Sequence, residues 1–269
     1  RRLGLVEFPH RFAIVVSSMR VGGLISGAAL AQSGGDWTFG TGFDYSNGDY
    51  GRAADTSIWY VPNTAQYEIG PWRFKATVPY IRIEGPGGVV GGDGSGIIVG
   101  GGSGVTTTQS GLGDVVGQVA YLITPGTPYI PFVELSGKVK FPTADEDKGL
   151  GTGEFDYTVQ ADFFQSIGRI TPYVTVGYRF RGDNSLFNLK DGVIASAGAG
   201  YQINEIWGAG LSFDFREAST ATSEDPKELV PYVTWKAAED WSVNAYALIG
   251  LSDGSPDAGV GLQLKLSVR

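Results

Sequence analysis

The sequence predicts an all-β fold: a 12-stranded antiparallel up-and-down transmembrane β-barrel over residues 32–269. Three observations lead there. Apolar residues alternate with small or polar ones in run after run, the connections between runs alternate short with long, and aromatic residues gather at both ends of the runs. An even strand count also returns both ends of the barrel to the periplasmic side.

Composition narrows the classes. The 269 residues include 42 Gly but no Cys, one His and one Met. Without Cys there is no disulfide framework, thiolate nucleophile or Cys-ligated metal. The Gly residues follow no collagen period, and 42% hydrophobic content is too high for a disordered chain. Arg1, Arg2, Arg11 and Arg20 precede the apolar stretch Val21 to Leu30, which runs into Ala29-Leu30-Ala31. A basic region, a short apolar region and an A-x-A site predict a signal peptide over residues 1–31. His10 and Met19 both belong to it. Residues 32–269 then carry sixteen Lys and Arg against twenty-seven Asp and Glu. Such an acidic balance argues against a nucleic-acid partner. No run of 18 apolar residues supplies a transmembrane helix.

The strands follow in order. Strand 36–46 opens on Trp37 and closes on Tyr45, and 55–68 leads into the turn Ile69-Gly70-Pro71. Strand 72–84 opens on Trp72, and 111–123 precedes a short link from Thr124 to Thr127. Strand 128–141 runs from Tyr129 to Phe141. In 152–165 the set Phe155, Tyr157, Val159, Ala161 and Phe163 opposes Asp156, Thr158, Gln160 and Asp162. In 170–181 Pro172, Val174, Val176, Tyr178 and Phe180 form one face. Strand 191–203 is followed by 206–216, where Trp207, Ala209, Leu211, Phe213 and Phe215 oppose Gly208, Gly210, Ser212, Asp214 and Arg216. Strands 227–237 and 241–252 come next. In 258–268 Val260, Leu262, Leu264, Leu266 and Val268 form one face. Long links fall at 47–54, 85–110, 142–151, 182–190, 217–226 and 253–257, on the side opposite the short turns.

A soluble barrel alternates too, so the character of each face decides the solvent. A soluble barrel carries many charges outside. Here the polar face is mostly Gly, Ser and Thr with balanced charges: Arg73, Lys75, Lys138, Lys140, Arg179, Arg181, Arg216, Lys236 and Lys265 against Asp44, Asp114, Glu134, Glu154, Asp156, Asp162, Asp214 and Glu228. The excess acid falls in the loops. That pattern predicts a charged, water-bearing lumen, with a basic patch of Lys138, Lys140, Arg179 and Arg181 below an acidic crown. Balance within the lumen argues against strong ion selectivity. Trp37, Trp72, Tyr129, Trp207 and Trp241 open strands at one level, and Tyr45, Tyr80, Phe141, Phe180 and Phe215 close them at the other, as membrane interfaces favour.

The stretch from Ser110 to Tyr121, containing Gly111-Leu112-Gly113-Asp114, resembles a strand motif of the MetA-pathway of phenol degradation family of outer-membrane transporters. The similarity continues through Lys140-Phe141-Pro142-Thr143, Gly149-Leu150-Gly151-Thr152-Gly153 and Asp156-Tyr157 to Thr171–Phe180, covering roughly residues 105 to 182. It implies an outer-membrane channel associated with aromatic or hydrophobic compounds.

Enzymatic readings find little support. The Gly-rich link 85–110 lacks the Gly-Lys-Ser/Thr of a phosphate cradle and leads into no helix; lying over the lumen, it is the one link long enough to constrict it. Paired carboxylates such as Glu154 with Asp156 read as an ion ladder facing Lys138 or Lys140 on the preceding strand. Beyond residue 31 there is no His for Ser-His chemistry. The expectation is a bacterial outer-membrane channel for passive uptake of small solutes, aromatic or hydrophobic ones among them, with no cofactor and no metal. Its partners would be outer-membrane lipids, the barrel-assembly machinery and the solute. Phe132, Tyr173 and Tyr246 supply aromatic lining on inward faces. The alternative is a closed structural or adhesion barrel with a plugged lumen.

Overall fold

Alternation between a side chain that must avoid water and one that tolerates it leaves a strand only one way to face, so register follows from the pattern. A computed structural model describes residues 35–91, 97–98, 105–127, 129–182 and 188–268. The proposed signal peptide lies outside these residues.

The strands are β1 (Asp36–Gly48), β2 (Thr56–Ile69), β3 (Trp72–Gly85), β4 (Val89–Val90), β5 (Ile97–Ile98), β6 (Thr107–Leu112), β7 (Val115–Ile123), β8 (Phe132–Phe141), β9 (Asp156–Phe164), β10 (Ile170–Arg181), β11 (Gly192–Gln202), β12 (Trp207–Arg216), β13 (Lys227–Trp235), β14 (Trp241–Gly250) and β15 (Ala258–Val268). Each barrel strand pairs antiparallel with its neighbours in sequence, and β1 pairs with β15 from Trp37↔Val268 to Asn47↔Ala258. The sheet is therefore closed. β6 and β7 both pair with β3 and act as one barrel strand, which makes the wall 12-stranded, while β4 and β5 form a small hairpin of their own.

The expected strand 111–123 is thus corrected: it starts at Thr107 and breaks at Gly113-Asp114. Tyr80 pairs with Leu112 and Thr77 with Val116, so three residues oppose two, a β-bulge. Pro79 sits opposite the extra residue, where it lacks an N–H to give the ladder. Strands expected from 128 and 152 begin later, at Phe132 and Asp156. Pro131 keeps the first out of the ladder. Gly149 and Gly153 adopt positive φ in the loop before the second.

The outward faces are apolar and exposed. Trp72, Phe74, Val78, Leu211, Phe213, Val260 and Leu262 all stand open, while Asp162, Thr175, Asn244 and Glu228 are buried on the inside. A soluble protein would not leave such a contiguous apolar band uncovered. Its edges are aromatic: Trp207 stacks on Trp235 at 5.7 Å and Trp72 packs edge-on to Tyr121 at the periplasmic level, while Tyr45 meets Trp59 at the extracellular level. No helix among the described residues is long and apolar enough to cross a membrane.

The Gly-rich link folds into the mouth as far as it is described. Val89 is buried against a cluster containing Ile58, Ile81, Ile83 and Leu150. Gly88, at φ +80°, backs onto the Arg52 guanidinium, where a Cβ would clash.

Candidate functional site in the barrel lumen

Because side chains alternate across the wall, residues paired in register on neighbouring strands form rows around the lumen. One row is acidic: Glu134, Asp162, Thr175, Ser196, Asp214 and Glu228 lie in register across β8 to β13. All six are buried. Charges so placed need donors, and the donors are present. Arg73 pairs with Glu134 at one end of the row and Arg216 with Glu228 at the other. Thr175 donates to Asp162 at 2.8 Å, Gln160 reaches both Asp162 oxygens, and Ser212 donates to Asp214 at 2.6 Å.

A second row is basic. Gln66, Lys75, Gln118, Lys138, Thr158 and Arg179 lie in register across β2, β3 and β7 to β10. Lys75, Lys138 and Arg179 are half-buried, unlike the acids. The Lys138 ammonium donates to the Gln160 amide oxygen at 3.0 Å.

Nearer the extracellular end, Lys140, Asp156 and Arg181 share a register row. Lys140 Nζ lies 3.1 Å from Asp156, 3.4 Å from Asp114 and 2.8 Å from the Thr152 hydroxyl. Asp114 also accepts from the Ala144 amide at 3.0 Å, and Thr143 accepts from the Val115 amide and donates to the Gly113 carbonyl. The bulge at Gly113-Asp114 therefore anchors the loop 142–155. The four-member basic patch expected here is altered, since Lys140 is neutralised by two carboxylates. Glu154 falls in the loop before β9 and Lys236 in the turn after β13, where its amide donates to Ile206. Neither lies on a barrel strand.

The third feature is aromatic. Phe132, Phe164 and Tyr173 are in register on β8 to β10, and Tyr232 pairs with Tyr246 on β13 and β14. Phe164, Tyr173, Val230, Tyr232, Tyr246 and Leu248 form one buried cluster, with Leu122 and Phe132 packed on it. Each of its tyrosines lies over a glycine of a neighbouring strand. Tyr173 covers Gly198, Tyr232 covers Gly210 and Tyr246 covers Gly261, so closely that a Cβ would strike each ring. The rings thus lie along the wall. Sequence reading found Tyr173, Tyr246 and Phe132 but missed Tyr232 and Phe164. The signal was the run of inward glycines, whose meaning depends on register. Among the described residues, no group of three or more His, Asp or Glu converges as a metal site.

A closed barrel with an apolar outer band, aromatic edges and a charged interior is a bacterial outer-membrane β-barrel. The family model described as "Putative MetA-pathway of phenol degradation" matches residues 56–268, so the chain belongs to that family. Among solved structures, the COG4313 outer membrane channel from Pseudomonas putida F1 is similar, with a TM-score of 0.66 at 12% identity, covering 91% of this chain and 100% of that one. The KdgM porin aligns with a TM-score of 0.54 at 6% identity, over 86% and 99% of the two chains. The beta domain of the Bordetella autotransporter BrkA aligns with a TM-score of 0.53 at 13% identity, over 87% and 99%. At these identities the likeness is one of fold. No curated protein sequence matches.

Proposed function

We propose that the protein is an outer-membrane channel for passive uptake of small solutes, aromatic or hydrophobic ones among them. The observation that carries this reading is the seating of Tyr173, Tyr232 and Tyr246 over Gly198, Gly210 and Gly261. Large side chains laid against the wall line a passage instead of crossing it. The half-buried lumen residues Thr64, Lys75, Thr77, Gln118 and Lys138 on β2, β3, β7 and β8 supply its polar side. Family membership supports the reading, as do two similar folds, one an outer membrane channel and one a porin.

A second reading, a closed structural barrel, is favoured by the dense packing around Asp162, Thr175 and Asn244, each at most 1% exposed. Swelling of proteoliposomes in iso-osmotic solutions of a small aromatic and a small aliphatic solute separates the two. A channel swells the vesicles faster than empty ones, with the aromatic solute favoured. Swelling no faster than that of empty vesicles means a plugged barrel.

A further inference from the structure

The inward face of a water-bearing barrel is ordinarily polar, yet the extracellular part of β2 and β3 turns Ile58, Ile81 and Ile83 toward the lumen, with Ile58 and Ile83 paired in register. Leu150 and Ala144 from the loop 142–155 and Tyr50 from the loop 47–54 close around them. The seat these residues form is filled by the chain itself. Val89 and Val90 of β4 are each 3% exposed, and Val89 belongs to the same packed cluster. The approach is close: a Cβ at Gly91 would come to 3.0 Å from Ile81 Cδ1 and 3.4 Å from Ile58 Cδ1. What holds β4 there differs from what holds the wall. β4 pairs with β5, Val89 opposite Ile98 and Val90 opposite Ile97, and this two-stranded sheet is separate from the barrel sheet. No ladder therefore fixes the two valines to β2 or β3, and apolar contact seats them.

We propose that Val89 and Val90 are the resident occupants of an apolar binding site at the extracellular mouth, and that a compact uncharged solute of benzene size enters by displacing them. In giving the solute its first docking position the inference rests on the channel reading, while the exchange at the seat is measurable without current. Burial of apolar surface is non-directional, so a molecule that offers equal apolar area takes the same place. A benzene ring offers surface comparable to that of two isopropyl groups. Solute and β4 compete for one seat, and binding of the one exposes the other. Strongly hydrated solutes gain nothing from the seat and leave β4 where it is.

The chain has no Cys, so a single introduced cysteine reports the position of β4. Val89→Cys, folded in lipid nanodiscs, is reacted with a maleimide in the presence and absence of benzene. A buried thiol is shielded from the reagent. Labelling is expected to be slow in buffer, to rise about 5-fold or more with benzene, the low end of ordinary ligand coupling, and to ignore glycerol. Val90→Cys should behave alike, which keeps the test intact if one variant misfolds. Val105→Cys, at a position 65% exposed, should label fast throughout. Val89→Cys combined with Val90→Asp should label fast without benzene, because a carboxylate does not stay in an apolar seat. Slow labelling that benzene leaves unchanged overturns the proposal, as do fast labelling of Val89→Cys in buffer, an equal response to glycerol, or slow labelling of the Val90→Asp combination. Conductance of the same protein keeps the two readings apart. Current with labelling indifferent to benzene leaves a channel without this site, and benzene-dependent labelling without current leaves the site in a barrel that does not conduct.

Discussion

Lys140 on β8 and Asp114 in the bulge between β6 and β7 are joined by a buried ion pair, 3.4 Å between Nζ and Oδ2, and Asp114 also accepts from the Ala144 amide, which ties the bulge to the loop 142–155. Removing Asp114 leaves Lys140 its Asp156 partner but takes the acceptor from the buried Ala144 amide, at a cost of about 1–3 kcal/mol. Asp114→Ala is therefore expected to lower the unfolding free energy in lipid vesicles by that order. It should also open the loop to limited proteolysis near Lys148. Unchanged stability with an intact loop would mean that the Ala144 amide does not depend on Asp114.

Val78 and Thr77 are adjacent at the middle of β3, the first outward and exposed, the second inward and half-buried. Val78→Arg places a charge at the bilayer midplane and should cost about 2–4 kcal/mol, and Trp72→Arg at the interface about 0–1 kcal/mol beyond lost aromatic area. Thr77→Arg, toward the lumen, should change stability by less than about 1 kcal/mol. Ser212 is no substitute for Thr77 as the inward control, because its hydroxyl is buried and engaged with Asp214. Equal costs at Val78 and Trp72 would contradict the lipid-facing assignment.

Gly210 lies under the Tyr232 ring, whereas a Cβ at Gly137 would meet nothing within 4 Å. Gly210→Val must push Tyr232 off the wall into the lumen. The expected result is lower single-channel conductance, with a loss of about 1–3 kcal/mol from overpacking. Gly137→Val should leave conductance as it is. Equal conductance in both variants would place the tyrosine arc outside the conduction path.

Asp145 and Lys148 form an exposed pair of 2.9 Å in the loop 142–155. The Lys148 hydrogen bond holds the Asp145 carboxyl below its ordinary value, and Asp145 in turn raises Lys148. The contact is complete above the usual carboxylate range and is lost as pH falls through the depressed Asp145 value. At the alkaline end it is lost as pH rises through the raised Lys148 value. In a titration followed by NMR, Lys148→Ala should return Asp145 to ordinary behaviour, and added salt should do so in part.

The wall was legible in the sequence because alternation is local. The runs 258–268 and 170–181 coincide with β15 and β10, and short turns alternating with long links give the up-and-down order. Inward and outward faces follow by parity, which is why Asp162, Lys138 and Arg179 were identified as lumen residues. What depended on register was not legible. The bulge at Gly113-Asp114 follows from Pro79 on another strand, and the separation of acids from bases into two rows follows from pairings such as Gln118↔Lys138 and Glu134↔Asp162. The counts in the lumen suggested electrical balance, but burial differs between Asp162 and Lys138 for reasons of packing that one strand cannot display. Glu154 and Lys236 continued an alternating pattern one or two residues beyond where pairing stops.

Whether this barrel conducts is read by single-channel recording in planar bilayers. The protein added should first be verified as folded by its heat-dependent shift in gel mobility. A conducting barrel gives discrete, reproducible current steps, reduced in Gly210→Val. Folded, inserted protein that yields no steps over the background of protein-free bilayers would contradict conduction and establish a plugged lumen.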